Sequence, residues 1–417
     1  MAEQEPDVAA QLEVIRAEYR NIKPEDIKVI DPCMGSGHIL VYAFEVLMQI
    51  YEAQGYSQRD AVQSILEHNL FGLDIDNRAA QLSYFAVMMK ARQYDRRILS
   101  RGIMPHIYAI EESNDINREK LCYFGDGLND FEKNTALNEL SSLLDIFTDA
   151  KEYGSILNVE SYNWVLLCRF IEAMDAEEQI TLDMVDIEWT REKLRLLVEI
   201  GQTMAQKYDV VVTNPPYMGN KGMNVKLTNY LQNIFQNSKL DLYAVFIEVC
   251  NFYMKPNAFQ AMITQHSWMF IQSFITLREN ILLNLNILSM AHLGARAFDE
   301  IGGEVVQTTA FVLRKCQLSK YKGIFLRLVR YLGEMEKRNA FYNDNDRYVI
   351  APYEFRCVPN QPISYWIGTG LRKMFSSLPK IGDIYETKLG MSTNDNNRFL
   401  RAWYEVELSK ICFNRRN

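Results

Sequence analysis

The chain predicts a Rossmann-like α/β fold, a mostly parallel sheet flanked by helices, and three observations carry that prediction. Tyr208-Asp-Val-Val-Val-Thr213 is an apolar, β-branched run of the kind buried on both faces of a parallel sheet. Ile27-Lys-Val-Ile30 runs into Asp31-Pro32-Cys33-Met34-Gly35-Ser36-Gly37-His38 and then into an amphipathic pattern, so strand, glycine-bearing turn and helix follow one another. Leu70-Phe-Gly-Leu73 ends at Asp74-Ile75-Asp76, which sets a carboxylate at the carboxyl end of a second strand. Glycines in such a first turn let the backbone approach a nucleotide-like cofactor, and the helix N-terminus offers unpaired N–H groups.

Taken in order, Pro6 to Arg20 reads as a short helix with Val8, Leu12, Ile15 and Tyr19 on one face. After the turn, Ile39, Leu40, Ala43, Phe44, Leu47, Ile50 and Tyr51 define the buried face of a long helix. Ser57-Gln-Arg-Asp60 is an N-cap signal for a further helix to about His68. Asp74 is placed to accept hydrogen bonds from ribose hydroxyls, with Ile75 beside it, and Asp76 caps a helix from Asn77 to Lys90. His106 to Ile110 reads as a third strand, and Phe124-Gly125-Asp126-Gly127 as a turn. Residues 131–206 are helical and polar and read as an insertion that covers the sheet without contributing chemistry.

Beyond the strand at 208–213 comes Asn214-Pro215-Pro216-Tyr217. Two prolines donate no N–H and fix φ near −65°, so the loop is stiff and its carbonyls are free. The Asn214 side-chain oxygen and the Pro215 carbonyl can accept from a planar NH2 group while Tyr217 stacks on its ring. Asp241 to Glu248 begins a helix, Ala258 to Thr264 is another strand, and Val305 to Leu313 reads as a β-ribbon paired with Gly323 to Val329.

The pairing of Asp-Pro-x-x-Gly-Ser-Gly with Asn-Pro-Pro-Tyr resembles S-adenosylmethionine-dependent adenine-specific DNA methyltransferases. Val29 to Val41, Phe71 to Asp76 and Ser392 to Phe399 resemble more narrowly the PglX methyltransferases of BREX phage-defence systems. The resemblance implies a class I methyltransferase fold with a seven-stranded sheet. It implies S-adenosyl-L-methionine as cofactor, held by Asp31, Pro32, Cys33, Met34, Gly35, Gly37, Asp74 and Ile75, with Asp126 and Gly127 receiving its adenine amino group. It implies double-stranded DNA as substrate, an adenine flipped out against Tyr217 and Phe298, other BREX proteins as partners, and no metal. Direct displacement then needs Asn214 and Pro215 to draw the amino hydrogens and free the nitrogen lone pair. His266 has no catalytic role in this scheme, because the leaving proton is acidic after methylation.

The same comparison marks both ends as reduced. Only 26 residues precede Ile27, where the family carries a longer segment, and a DNA-reading domain needs on the order of 100 residues more than the last seventy supply. The expected organisation is an N-terminal helix at 1–22, a cofactor half at 23–130, the insertion at 131–206, a catalytic half with the ribbon at 207–345, and the start of a target-recognition region at 346–417. Three other functions compete. A protein glutamine methyltransferase shares the Asn-Pro-Pro-Tyr loop, a nicotinamide oxidoreductase would explain the glycine turn, and an inactive cofactor-binding subunit of a defence complex would explain the reduced ends.

Composition bounds these readings. At 417 residues, 48% apolar and 24% charged, the chain is an ordinary globular one with no membrane-length run, and an acidic N-terminus places it in the cytoplasm. Seven scattered cysteines without CxxC spacing suggest free thiols. A net charge of −8 excludes indiscriminate coating of DNA, so contacts must be local. The candidates are Lys221 and Lys226, and the basic run of Arg314, Lys315, Lys320, Lys322, Arg327 and Arg330.

Overall fold

The computed structural model describes residues 3–173, 182–297, 306–386, 400, 402–407 and 409. They form two compact units, Met1–Ile367 and Gly368–Asn417. The second unit contains the helices Thr369–Ser377 and Ile381–Ile384.

The first unit is built on one sheet. Its strands are β1 (Val29–Asp31), β2 (Leu70–Asp74), β3 (His106–Ala109), β4 (Tyr208–Thr213), β5 (Met254–Gln265), β6 (Asn286–Gly294), β7 (Thr308–Arg314), β8 (Gly323–Arg327) and β9 (Arg347–Ile350). The order across the sheet is β3-β2-β1-β4-β5-β7-β6-β8-β9. Strands β7 and β9 run antiparallel to their neighbours and the rest are parallel. The Rossmann-like fold predicted from sequence is therefore present, with nine strands among the described residues in place of seven. The predicted ribbon is also corrected. Strand β7 pairs with β5 and β6, whereas β8 pairs with β6 in parallel. The intervening β6, Asn286-Ile-Leu-Ser-Met-Ala-His-Leu-Gly294, has one β-branched residue and reads poorly as a strand, yet burial between two neighbours decides its conformation.

Side-chain alternation along β2 shows how the layers form. Leu70 points to a core with Leu40, Phe44, Ala80 and Val87, from α1 (His38–Ala53) and α2 (Asn77–Tyr94). Phe71 and Leu73 point the other way, into a core with Leu140 and Leu143 of α3 (Asp130–Ile146), Phe170 of α4 (Trp164–Glu172) and Leu194 and Leu197 of α5 (Leu182–Ala205). Helices α3, α4 and α5 thus cover one face of the sheet. The remaining cover comes from α6 (Val225–Ile234) and from α7 (Leu242–Tyr253), which is buried over most of its length. Local caps match the sequence signals: Asp76 accepts from the Arg78 N–H at 2.8 Å and Ser57 from the Asp60 N–H at 3.2 Å. No helix among the described residues is long and apolar enough to cross a membrane.

Candidate active site at the carboxyl edge of the sheet

Parallel strands leave their loops at one edge, and the two sequence motifs meet there. Pro32 and Cys33 after β1, Asp74 and Ile75 at the end of β2, and Asn214 and Pro216 after β4 line one cavity of about 550 Å3. That volume lies in the range of small-molecule sites.

The glycine turn is held from below by hydrogen bonds. The Met34 N–H donates to the Leu73 carbonyl at 3.0 Å, and the Gly35 N–H donates to Asp74 Oδ2 at 2.8 Å. Asp74 Oδ1 accepts from the Asp76 N–H at 2.9 Å, so this carboxylate is oriented before any ligand arrives. Gly37 has φ +83°, and a Cβ there would lie 2.5 Å from Ser83 Oγ, which explains a glycine at the start of α1. Gly72 has a different reason to lack a side chain. A Cβ on it would fall 2.5 Å from Met34 Sδ and 2.7 Å from Leu40 Cδ1, so the strand must be bare where the turn packs on it.

Asp31 does not line the cavity. It is fully buried; its Oδ1 accepts from the Cys33 N–H at 3.0 Å and from the Thr213 hydroxyl at 2.6 Å, tying β1 to β4, while Oδ2 has no partner. Burial pushes its pKa up to about 7 against the pull of those two donors. Met34, Gly35 and Gly37 likewise shape the turn from beneath.

In the Asn214 loop, Pro215 is buried and Asn214 and Pro216 are exposed. Among the described residues no donor reaches the Pro215 carbonyl. The Tyr217 hydroxyl lies 3.3 Å from Asn214 Oδ1 and 3.4 Å from the Ile263 carbonyl, and its ring meets that of Tyr243 edge-on at 6.1 Å. Burial pushes the Tyr217 phenol up to about 12, so it remains a hydrogen-bond donor at neutral pH.

One part of the predicted site lies elsewhere. Asp126 and Gly127 are exposed and do not line the cavity, because the Gly125 and Asp126 N–H groups bond to carbonyls of Phe170 and Ala173 at the end of α4. That turn is fastened to the insertion. Phe298 lies outside the described residues.

What the sequence reading missed is the insertion's part in the cavity. Lys151 to Ile156 form one wall, with the Ser155 hydroxyl donating to the Pro32 carbonyl at 2.6 Å and the Tyr253 hydroxyl donating to the Ser155 carbonyl at 2.9 Å. The wall is joined to the segment beyond Tyr217: Asn224 bonds to Glu152, and Lys226 pairs with Asp149 at 2.7 Å. The only local signal is Gly154, at φ +64° with Ile75 3.4 Å from where its Cβ would stand.

Residues 68–298 match the Eco57I restriction-modification methylase family, a stretch that runs from β2 through the Asn214 loop to the end of β6. The chain belongs to this family. Among its relatives is the adenine-specific methyltransferase PglX of Lacticaseibacillus casei (strain Zhang), 40% identical over 407 residues that cover 95% of this chain and 33% of the relative. Another is the adenine-specific methyltransferase BrxX of Escherichia coli O9:H4 (strain HS), 41% identical over 429 residues, 98% of this chain and 35% of the relative. The chain spans about a third of the length of these curated relatives. Among solved structures it is similar to the Type ISP restriction-modification enzyme LlaGI in complex with a DNA substrate mimic, with TM-score 0.49 and 14% identity over 88% of this chain and 27% of that one. The family match and the PglX and BrxX relatives bear out the resemblance to adenine-specific methyltransferases expected from the sequence.

Proposed function

We propose that the chain is an S-adenosyl-L-methionine-dependent methyltransferase acting on the 6-amino group of adenine in DNA, as the modification component of a BREX-type defence system. The observation that carries the reading is that Asn214 and Pro216 line the same cavity as Pro32, Cys33 and Asp74, with the Pro215 carbonyl unpartnered beside them. The names of the PglX and BrxX relatives support the choice of adenine.

The cavity fits the cofactor. Asp74 presents an oriented carboxylate for ribose hydroxyls, Pro32, Cys33 and Ile75 supply a largely apolar surface, and the unpartnered Oδ2 of Asp31 leaves an acceptor behind the turn. When bound, the cofactor supplies an electrophilic methyl group on sulfur. The chain's own residues act on the base. Asn214 Oδ1 and the Pro215 carbonyl accept the two amino hydrogens, which localises the nitrogen lone pair, and Tyr217 holds the ring. Water and DNA are enough to take up the proton released afterwards.

Two measurements test the reading on the 417-residue chain. Calorimetry with S-adenosyl-L-methionine and transfer of labelled methyl to adenine-containing duplex are compared for wild type and Asn214→Ala. We expect unchanged cofactor affinity and a loss of transfer of roughly 100-fold or more. Cofactor binding by wild type with no transfer to any DNA would overturn the reading in favour of a non-catalytic subunit, and transfer to a glutaminyl peptide alone would favour a protein methyltransferase.

A further inference from the structure

The eight cations that the sequence offers as DNA contacts separate once their partners are known. Lys226 pairs with Asp149, Lys320 with Asp7, Lys322 with Glu5 and Arg330 with Asp346. Arg314 donates to the Asn257 carbonyl, and Lys315 donates to those of Asn251 and Met254. Lys221, exposed in the loop after Tyr217, and Arg327 remain.

Arg327 is the last residue of β8 and stands opposite His292 of β6 in parallel register. It is therefore at the carboxyl edge of the sheet, the edge that carries Asn214, whereas Lys320 and Lys322 precede β8 and lie toward the opposite edge. Among the described residues it has no carboxylate or carbonyl partner, and its Nε is buried without an acceptor. The guanidinium lies 4.9 Å over the ring of half-buried Trp366.

That seat is rigid. Trp366 meets Phe270 at 5.6 Å and Tyr365 at 5.0 Å, both edge-on. The Tyr365 hydroxyl lies 3.0 Å from His292 Nδ1, and His292 Nε2 lies 2.7 Å from His266 Nδ1. Burial, then the charges of His266, Arg327 and Lys337, lowers the His292 pKa to about 3, and burial lowers that of His266. The support beneath the guanidinium is thus uncharged at neutral pH. A planar cation stacked on indole, one edge dry and no anion supplied by the protein, matches a phosphate, which a guanidinium engages with two parallel hydrogen bonds.

We propose that Arg327, seated on Trp366, is a DNA-backbone contact that takes a phosphodiester of the duplex engaged by the Asn214 loop. Four strand spacings separate β4 from β8, so the contact lies about 19 Å along the sheet edge from the base-holding loop. It positions the duplex and carries no sequence information. The proposal rests on the reading of the chain as a DNA methyltransferase.

The test is fluorescence anisotropy of the 417-residue chain with a labelled mixed-sequence duplex across a salt series, alongside cofactor calorimetry and methyl transfer. Variants are Arg327→Gln, Arg327→Lys and, as a paired cation at the other edge, Lys322→Gln. We expect Arg327→Gln to weaken DNA binding roughly tenfold and to lower the salt slope by about one, with cofactor affinity unchanged. Arg327→Lys should restore the slope but only part of the affinity, and Lys322→Gln should change neither. If wild type binds and methylates DNA while Arg327→Gln matches it in affinity and slope, the proposal falls and the enzyme reading stands. An equal effect of Lys322→Gln, or loss of cofactor binding in Arg327→Gln, also overturns it. A wild-type chain that neither binds nor methylates DNA overturns both.

Discussion

Asp31→Asn isolates the cost of keeping an ionisable group under the glycine turn. The Asp31 carboxyl rises from 3.8 to about 7 through burial. Between those values the folded chain holds a proton that the unfolded chain has released, so stability falls as pH rises and levels off above about pH 7. At about 1.4 kcal/mol per unit, the full cost above pH 7 is of the order of 4 kcal/mol, of which about 2.5 kcal/mol develops between pH 5 and pH 8. Asparagine keeps an oxygen for the Cys33 N–H and the Thr213 hydroxyl. Its NH2 group takes the place of an oxygen that already lacked a partner, so any penalty for that group is the same at every pH. The readout is therefore the change with pH of the stability difference between the two chains, measured by urea unfolding at fixed ionic strength. Other titrating groups cancel in that difference. Asp31→Asn should gain on wild type by about 2.5 kcal/mol from pH 5 to pH 8. Parallel pH profiles for the two chains would refute the argument that Asp31 titrates in the folded state.

Two further substitutions address how the cavity is built. Ser155→Ala removes the donor to the Pro32 carbonyl and leaves that carbonyl unsatisfied. Cofactor affinity should fall roughly fivefold while turnover at saturation is kept; unchanged affinity by calorimetry would show that the insertion wall does not hold the turn. Gly72→Ala forces Met34 and Leu40 to move from contacts of 2.5 and 2.7 Å, and overpacking of this kind costs about 1–3 kcal/mol. Urea unfolding should show that loss together with weaker cofactor binding, and a neutral substitution would mean that the turn gives way freely.

The parts of the fold and site that were legible in the sequence are those whose signal is local. Strands β1 to β4 announce themselves as short apolar runs and β5 does so only from Ala258 onward, while the caps Ser57 and Asp76 act within three residues of themselves. Asn214 and Asp74 stand at strand ends, where chain direction alone sends them to one edge. The parts that were not legible depend on contacts across long separations. Ser155 meets Pro32 across 123 positions and Thr213 meets Asp31 across 182, so nothing near either residue marks the pairing. Asp126 is absent from the cavity lining for the complementary reason. A Gly-Asp-Gly turn has the right local chemistry, but the carbonyls of Phe170 and Ala173 claim its backbone and carry it away from the cavity.

The groups left unpaired at the carboxyl edge of the sheet connect the candidate site to the charge of the chain. At the amino edge, Asp209 accepts from the Lys28 N–H and from Lys255 Nζ, Lys28 Nζ donates to Gln206, and Arg314 and Lys315 are capped by carbonyls. At the carboxyl edge, Asp31 Oδ2, the Pro215 carbonyl and Arg327 Nε have no partner among the described residues. Leaving a buried polar group unsatisfied costs about 1–3 kcal/mol. Such groups also occur toward the amino edge, where Glu25 Oε2 and Gln206 Nε2 lack partners, so it is their place beside the candidate site that sets those of the carboxyl edge apart. On the proposed reading, an unpaired guanidinium there would give a chain of net charge −8 a local point of contact with a polyanion. A paired lysine must give up its carboxylate before it can serve a phosphate, whereas an unpaired guanidinium on a fixed ring gives up nothing but water. The number of cations is therefore a poor guide to where DNA would lie, and the number of cations without partners is a better one.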